Sequence, residues 1–393
     1  MRVLIMDSGS YKTFGGSVKD AYDLYKYLKE NTSFNVDMLG DFSKLDKSIS
    51  VLTAKQVFNT IKYTNIASKK FDYQLILASM LGDFSILNSN FIKIKYDVIL
   101  MNSRKDVPIV DLYIRKNKGV KVIYVDRASI IITHKSSGIM RLSPSNIGSG
   151  YILRRMRKWL NVYITINAQQ TKEAQHFFDK KTRIVYTGIA PQKTYRRLKL
   201  KKIYKGAIFV GRLEEKQKRL TFMINGIKEI VNRYPELKTH LLLKIIGNGP
   251  DAEEYKKLVN KLGIQKNISF EGLVMGEALV EMFNNAGFLV STSAWEGLSR
   301  TVLEAMACGL PVLINDRINS IICYKPLQTL VKDGYNGFVY EYGSIEDFKK
   351  KFYEMYSNEK KLDKISINAE NFLRKNFDIQ DILKRTTNEI KRL

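Results

Sequence analysis

Short apolar runs alternate with helical periods along this chain. Arg2 to Ser8 (RVLIMDS) reads as a buried strand, followed by a loop holding Gly9, Gly15 and Gly16 and by a helix from about Val18 to Glu30. Phe34 to Leu39, Tyr73 to Ser79, Tyr96 to Asn102 and Val120 to Val125 are further β-branched or apolar runs. Helical stretches near Ala54 to Ala67 and Val107 to Lys116 separate them. Asn161 to Asn167 and Arg183 to Thr187 close this series before Gly188 and Pro191. The alternation resumes at Ala207 with AIFVGRL, a helix over Leu220 to Tyr234, LLLKII, Ile268 to Phe270, Phe288 to Val290 and PVLIN; the last helix covers Ile379 to Leu393. Strands without a polar face, each followed by a helix, predict parallel sheets covered on both sides.

With 393 residues the chain suits two domains of ordinary size. The expected division is a first domain over 1–190, a basic linker over 191–205 and a second domain over 206–378, with 379–393 crossing back to the first. The net charge of +26 is unevenly spread. Lys and Arg outnumber Asp and Glu by 30 to 15 in residues 1–190 and by 7 to 0 in 191–205, but only by 28 to 24 in the remainder. Seven cations in KTYRRLKLKKIYK repel one another, so that segment is expected to be an exposed crossover.

From Arg127 to Lys172 there is no carboxylate, and YILRRMRKWL sets Ile152, Met156, Trp159 and Leu160 at helical spacing among basic residues. Two readings fit this pattern. The helix lies on an anionic membrane, each cation adding ~1 kcal/mol of attraction, or its apolar stripe faces the domain's own core. Nucleic acid is not expected, for want of a recognition motif or an aromatic platform. Cys308 and Cys323 imply no disulfide framework, which points to a reducing cytoplasm. No apolar run reaches the ~18 residues that span a bilayer, and MRVLIMDSGS turns polar too soon for a signal peptide. Any membrane contact is therefore expected at the surface.

The densest chemistry lies in STSAWEGLSRTVLEAMACGLP, residues 291–311. Glu296 and Glu304 flank a Gly297-Leu298-Ser299 turn that opens a helix, with Ser299 the candidate N-cap. Turn and helix N–H groups, with the helix dipole, suit a phosphate. Glu304, about one and a half turns into the helix, suits the vicinal hydroxyls of a ribose. Glu296 stands at the carboxyl end of a strand, where open α/β sheets bind ligands. Both acids could also be solvated charges near a helix start.

EGLSRTVLEAMACGLPVL resembles the Glu, seven residues, Glu signature of glycosyltransferase family 4, retaining enzymes of the GT-B fold. That fold is α/β, with two Rossmann-like domains whose parallel sheets face across a cleft. The resemblance implies that Glu296 contacts the donor sugar, that the backbone of Gly297, Leu298 and Ser299 holds the diphosphate, and that Glu304 holds the ribose. It also makes Arg212 and Lys218 the cations on the diphosphate, with Lys216 the competing lysine, and it sets Gly15 and Gly16 against donor and acceptor. Gly247 and Asn248 belong to a second glycine turn near the nucleotide, and the backbone around Leu273 and Val274 neighbours the base. Main-chain contacts leave the base, UDP or GDP, open.

Two positions depart from the family pattern. Asp126 and Arg127 stand where a His is common, leaving Asp126 either to orient the acceptor hydroxyl or to pair with Arg127, and His134 is not assumed to substitute. Gly287 replaces a usual acid. The implied activity is transfer of a sugar from a nucleotide-diphosphate sugar to a glycan or lipid-linked acceptor, in the cytoplasm or at the inner membrane face, with no cofactor and no metal. The alternatives are a same-fold sugar-nucleotide epimerase, for which no acid/base pair is apparent, and a non-catalytic nucleotide-sugar-binding protein anchored by its basic half.

Overall fold

The computed structural model describes residues 1–7, 16–40, 51–52, 54–58, 69–126, 144–191, 194–198, 204–321 and 329–393. It divides into two compact units, Met1–Gly188 with Gln380–Leu393, and Ile189–Ile379.

In the first unit, strands β1 (Arg2–Asp7), β2 (Asn35–Gly40), β3 (Val51–Leu52), β4 (Val98–Met101), β5 (Lys121–Val125), β6 (Val162–Thr165) and β7 (Arg183–Tyr186) form one sheet in the order β3-β2-β1-β4-β5-β6-β7. Every pair is parallel. The helices here are α1 (Gly16–Asn31), α2 (Ala54–Val57), α3 (Lys69–Leu81), α4 (Ser89–Lys93), α5 (Asp106–Lys116), α6 (Pro144–Trp159) and α7 (Ala168–Phe177), and the terminal helix Ile379–Lys391 joins them.

The run Tyr73 to Ser79, expected as a strand, lies inside α3. A short apolar run cannot by itself distinguish a strand from a buried helix. Here Leu75, Ala78 and Ser79 are buried while Leu77 and Met80 are exposed, which is a helical period. The stripe of α6 is likewise decided. Ile152, Leu153, Met156 and Leu160 are buried in the core with Tyr113, Tyr124 and Tyr163, so this apolar face is not available to a membrane.

One buried carboxylate ties the helices together. Asp111 on α5 is fully buried and accepts hydrogen bonds from Ser79 Oγ at 2.8 Å, Arg115 at 2.7 Å, Arg155 Nε at 2.8 Å and Trp159 Nε1 at 3.0 Å. Three helices thus share one charge. Burying a carboxylate is unfavourable unless cations and donors surround it, and this one has both.

The second unit has strands β8 (Ala207–Val210), β9 (Leu243–Ile246), β10 (Ile268–Gly272), β11 (Phe288–Val290), β12 (Val312–Asn315) and β13 (Phe338–Tyr340) in the order β10-β9-β8-β11-β12-β13, again all parallel. Its helices are α8 (Glu215–Lys218), α9 (Leu220–Arg233), α10 (Ala252–Leu262), α11 (Glu277–Asn285), α12 (Arg300–Ala307), α13 (Asp316–Ile321), α14 (Ile345–Ser357) and α15 (Glu359–Asn376), which makes Ile379–Lys391 α16. The strand order reverses between β1 and β4 in one unit and between β8 and β11 in the other, and at such points the carboxyl ends of the strands leave a crevice for ligand.

Within the basic segment the described Thr194, Arg196 and Arg197 are exposed, and the chain is anchored between and beside them. Tyr195 is buried, Arg197 donates to Ser366 Oγ at 2.5 Å, and Leu198 N–H donates to Asn284 Oδ1 at 2.7 Å. An acid, Glu370, lies 3.7 Å from Arg197. Gly287, where the resemblance suggested an acid, has no room for any side chain, since a Cβ there would collide with the Lys205 carbonyl. No helix among the described residues is long and apolar enough to cross a membrane.

Replacing Asp111 by Ala removes the one acceptor shared by two arginines, a serine and an indole, and should destabilise the protein by about 3–5 kcal/mol. The midpoint of urea unfolding, followed in wild type and variant, measures it.

Candidate active site

The carboxyl ends of β8 and β11 carry the site. After β8 the chain turns through Gly211, Arg212 and Leu213, and after β9 through Gly247, Asn248 and Gly249. The two turns are in backbone contact: Leu213 N–H donates to the Asn248 carbonyl at 3.0 Å and Gly211 N–H to that of Ile246 at 3.0 Å. Gly247 holds φ at +138°, and a Cβ there would overlap the Gly211 carbonyl, as one on Gly249 would overlap that of Leu213. Only glycine permits this approach. Gly247 N–H also donates to Gly272 O at 2.7 Å, which sets the Leu273-Val274 backbone, the expected neighbour of the base, beside the second turn.

Fixing these turns fixes α8. Asp251, following the second turn, accepts from Glu215 N–H at 2.6 Å at the start of α8. Arg219 ends that helix in the left-handed conformation, φ 53° and ψ 47°, a strained geometry for a side chain of this size that needs surrounding support. Thr292, just beyond β11, supplies it: its hydroxyl donates to the carbonyl of Lys218 at 2.7 Å, and Ala294 N–H donates to that of Gln217 at 2.8 Å.

The result is that Lys218 Nζ pairs with Glu296 Oε1, the two side chains only 16% and 12% exposed. Ser293 Oγ donates to the same carboxylate oxygen at 2.9 Å, and Asn315 Nδ2 holds the Ser293 carbonyl at 3.0 Å. Of the two lysines considered, Lys218 meets Glu296, and Lys216 is exposed. Arg212 does not join them. It is largely exposed and lies 3.3 Å from Glu214.

The Gly297 to Ser299 turn leads into α12, where Ser299 occupies the N-cap position with extended backbone. Its side chain makes no capping hydrogen bond, contrary to the expected use of that hydroxyl. Glu304 is buried one turn before Cys308, whose N–H donates to the Glu304 carbonyl at 3.2 Å. Burial pushes the Cys308 thiol up to about 12, with the Glu304 charge adding to it, and so the thiol stays protonated. Tyr195 is raised by burial first and by Glu304 next.

In the first unit Gly16 begins α1, and Gly15, Arg127 and His134 fall outside the described residues, as does Cys323. Asp126, following β5, is buried and accepts from Tyr163 Oη at 2.6 Å. Burial, then the Asp126 charge, raises the tyrosine far above its ordinary value, keeping it a donor. Sequence reasoning missed Tyr163, Ser293, Thr292 and Asp251. Ser293 and Thr292 lay in the quoted motif, whereas the Tyr163 partnership depends on the β5 to β6 register, in which Tyr124 pairs with Tyr163. Among the described residues no group of three or more His, Cys, Asp or Glu side chains could hold a metal ion.

Residues 192–372, which lie within the second unit, match the family described as Glycosyl transferases group 1. The chain is 31% identical over 144 residues to a lipopolysaccharide 1,6-galactosyltransferase of Salmonella typhimurium, a match covering 36% of each chain. It spans 36%, 54% and 44% of the length of three curated relatives, this one included. Solved structures match over the whole chain. Sucrose-phosphate synthase from Thermosynechococcus elongatus superposes with a TM-score of 0.74 at 14% identity, covering 100% of this chain and 98% of that one. Anabaena HepE in complex with UDP-glucose gives 0.71 at 15% identity, with 100% of both chains covered. The fold is therefore GT-B, an α/β architecture of two Rossmann-like units.

Gly247→Ala should push the two turns apart and cost more than ~2 kcal/mol through overlap and backbone strain. A clearly larger fall in melting temperature for this variant than for Gly263→Ala, at a positive φ with nothing within 4 Å of its Cβ position, checks it.

Proposed function

We propose that the protein is a retaining glycosyltransferase that moves a sugar from a nucleotide-diphosphate sugar, of UDP or GDP type, to a glycan or lipid-linked acceptor. The observation that carries the reading is the Lys218–Glu296 pair at the strand-order reversal of the second unit. A mostly buried ion pair adds little to stability, because desolvation offsets most of its attraction. Its cost makes sense where ligand chemistry needs both charges. The group 1 match over residues 192–372 and the UDP-glucose held by HepE support a nucleotide-sugar donor.

In this reading the departing nucleoside diphosphate is met by Lys218 and by the N–H groups of Gly297 to Ser299 at the start of α12. Preorganised cations and amides in a site that excludes water stabilise the charge that develops as the glycosidic bond breaks. Glu296 then exchanges part of its contact with Lys218 for the donor sugar's hydroxyls, Glu304 holds the ribose, and the Leu273-Val274 backbone lies by the base. Arg212 reaches the diphosphate by giving up Glu214, a movement that its exposed position allows. Asp126 serves the acceptor side. The reaction needs no metal, since lysine and arginine supply the positive charge, and chelation by EDTA should leave the rate unchanged.

Lys218→Ala and Glu296→Ala should each lower kcat/KM by about 100-fold or more while leaving the circular dichroism spectrum intact. Wild-type rates in both variants would overturn the assignment. A panel of nucleotide sugars, scored by thermal stabilisation and slow hydrolysis, identifies the donor. Proton NMR of the first-formed product checks retention, and an inverted anomeric centre would remove that part of the reading.

A further inference from the structure

Among the described residues Arg219 is the only non-glycine at a positive φ. Glycine would adopt that conformation without strain, so an arginine held there points to a use for its side chain. The guanidinium carbon of Arg219 lies 4.6 Å from the ring centroid of Tyr342 and 5.1 Å from that of Phe222. A second guanidinium, from Arg317 in α13, lies 4.9 Å from the same Tyr342 centroid. Arg317 stands two residues past β12 and Tyr342 two past β13, so both belong to the carboxyl edge of the sheet, where ligands of open α/β sheets bind.

Two like charges thus share one aromatic ring, and no contact neutralises either of them. Among the described residues neither guanidinium makes a hydrogen bond or an ion pair; their partners are rings. The acid alongside, Asp316, accepts from Tyr342 N–H at 2.9 Å, which fixes the tyrosine against the start of α13. Arg317 is exposed, and Arg219 and Tyr342 are half-buried, so solvent reaches the group. The group adjoins the Lys218–Glu296 pair without joining it. Thr292 Oγ1 lies 2.7 Å from the Lys218 carbonyl and 3.3 Å from that of Arg219, while the Lys218 ammonium is engaged by Glu296.

We propose that Arg219 and Arg317 form a second anion site on this unit, beside the Lys218–Glu296 pair, and that it takes a phosphoryl group. The ring attracts each guanidinium and holds the two near one another, and their N–H donors, unused by the protein, suit the several oxygens of a phosphate. A bound dianion removes the repulsion that the unoccupied pair carries. A carboxylate offers only two oxygens to two such forks and is the weaker match. Nucleic acid, whose affinity rests on many phosphate contacts, gains little from two cations. The phosphoryl group comes either from a phosphate ester or from free phosphate. The inference concerns binding alone and stands or falls apart from the transfer reaction.

The test is titration of the full-length chain with glycerol 1-phosphate or inorganic phosphate, followed by phosphorus NMR at one fixed ionic strength, with and without UDP. Wild type should bind at least one of the two, and UDP should not displace it. Tighter binding of the ester marks an ester as the ligand and tighter binding of inorganic phosphate marks free phosphate; both support the site. Arg317→Ala and Arg219→Gly should each weaken binding at least about tenfold, whereas Lys257→Ala, which removes an exposed charge elsewhere on the same unit, should leave it unchanged. Glycine accepts the left-handed backbone, so Arg219→Gly should fold; if its melting temperature falls, Arg317→Ala, altered at an exposed side chain, decides alone. Wild-type binding by Arg317→Ala, an equal loss in Lys257→Ala, or no binding by wild type overturns the proposal. So does displacement by UDP, which would place the phosphate in the donor's site, or acetate binding as tightly as phosphate.

Discussion

The contact between the Gly211 carbonyl and the backbone of Gly247 is the constraint on which the second unit's chemistry depends. Two neighbouring strands end in turns so close that a methyl group on one would penetrate the other. Their packing sets Leu213 against Asn248 and brings Asp251 to the start of α8. Every later feature of the site follows from that placement, because α8 is a single turn too short to hold its own orientation. Its last residues are then gripped from β11 by Thr292, which tolerates the left-handed Arg219 and aims Lys218 at Glu296.

The two units treat buried charge in different ways. In the first, Asp111 is surrounded by two guanidinium groups, an indole and a hydroxyl, so its carboxylate is saturated and its role is to join α3, α5 and α6. In the second, Glu296 has one cation and one hydroxyl and keeps partial exposure. A saturated buried charge is structural cement, whereas an accessible pair can exchange partners with a ligand at small cost. Glu304 is buried in α12 beside Tyr195 and Cys308, whereas Arg212 is largely exposed.

Apolar faces were also assigned by context. The stripe Ile152, Met156, Trp159 and Leu160 and the trio Leu77, Met80 and Leu81 have the same helical spacing and comparable hydrophobicity, yet one is core and the other is surface. The neighbours decide this, since α6 packs its stripe into the core with Tyr113, Tyr124 and Tyr163, while α3 turns Leu75 and Ala78 into that core and leaves the trio outside.

The order of strands and helices in the second unit, the glycine turns, and the candidacy of Glu296, Lys218 and the 297–299 turn were legible in the sequence, because parallel strands are apolar throughout and turns demand residues without a Cβ. Local chemistry writes such features directly into neighbouring residues. Distant pairing is different. That Lys218 rather than Lys216 meets Glu296, that Tyr163 donates to Asp126, that Arg197 donates to Ser366, and that Tyr73 to Ser79 is helical were decided by tertiary structure. Each depends on which side of an element is covered and on the register between strands far apart in the chain, and no short window of residues carries that information.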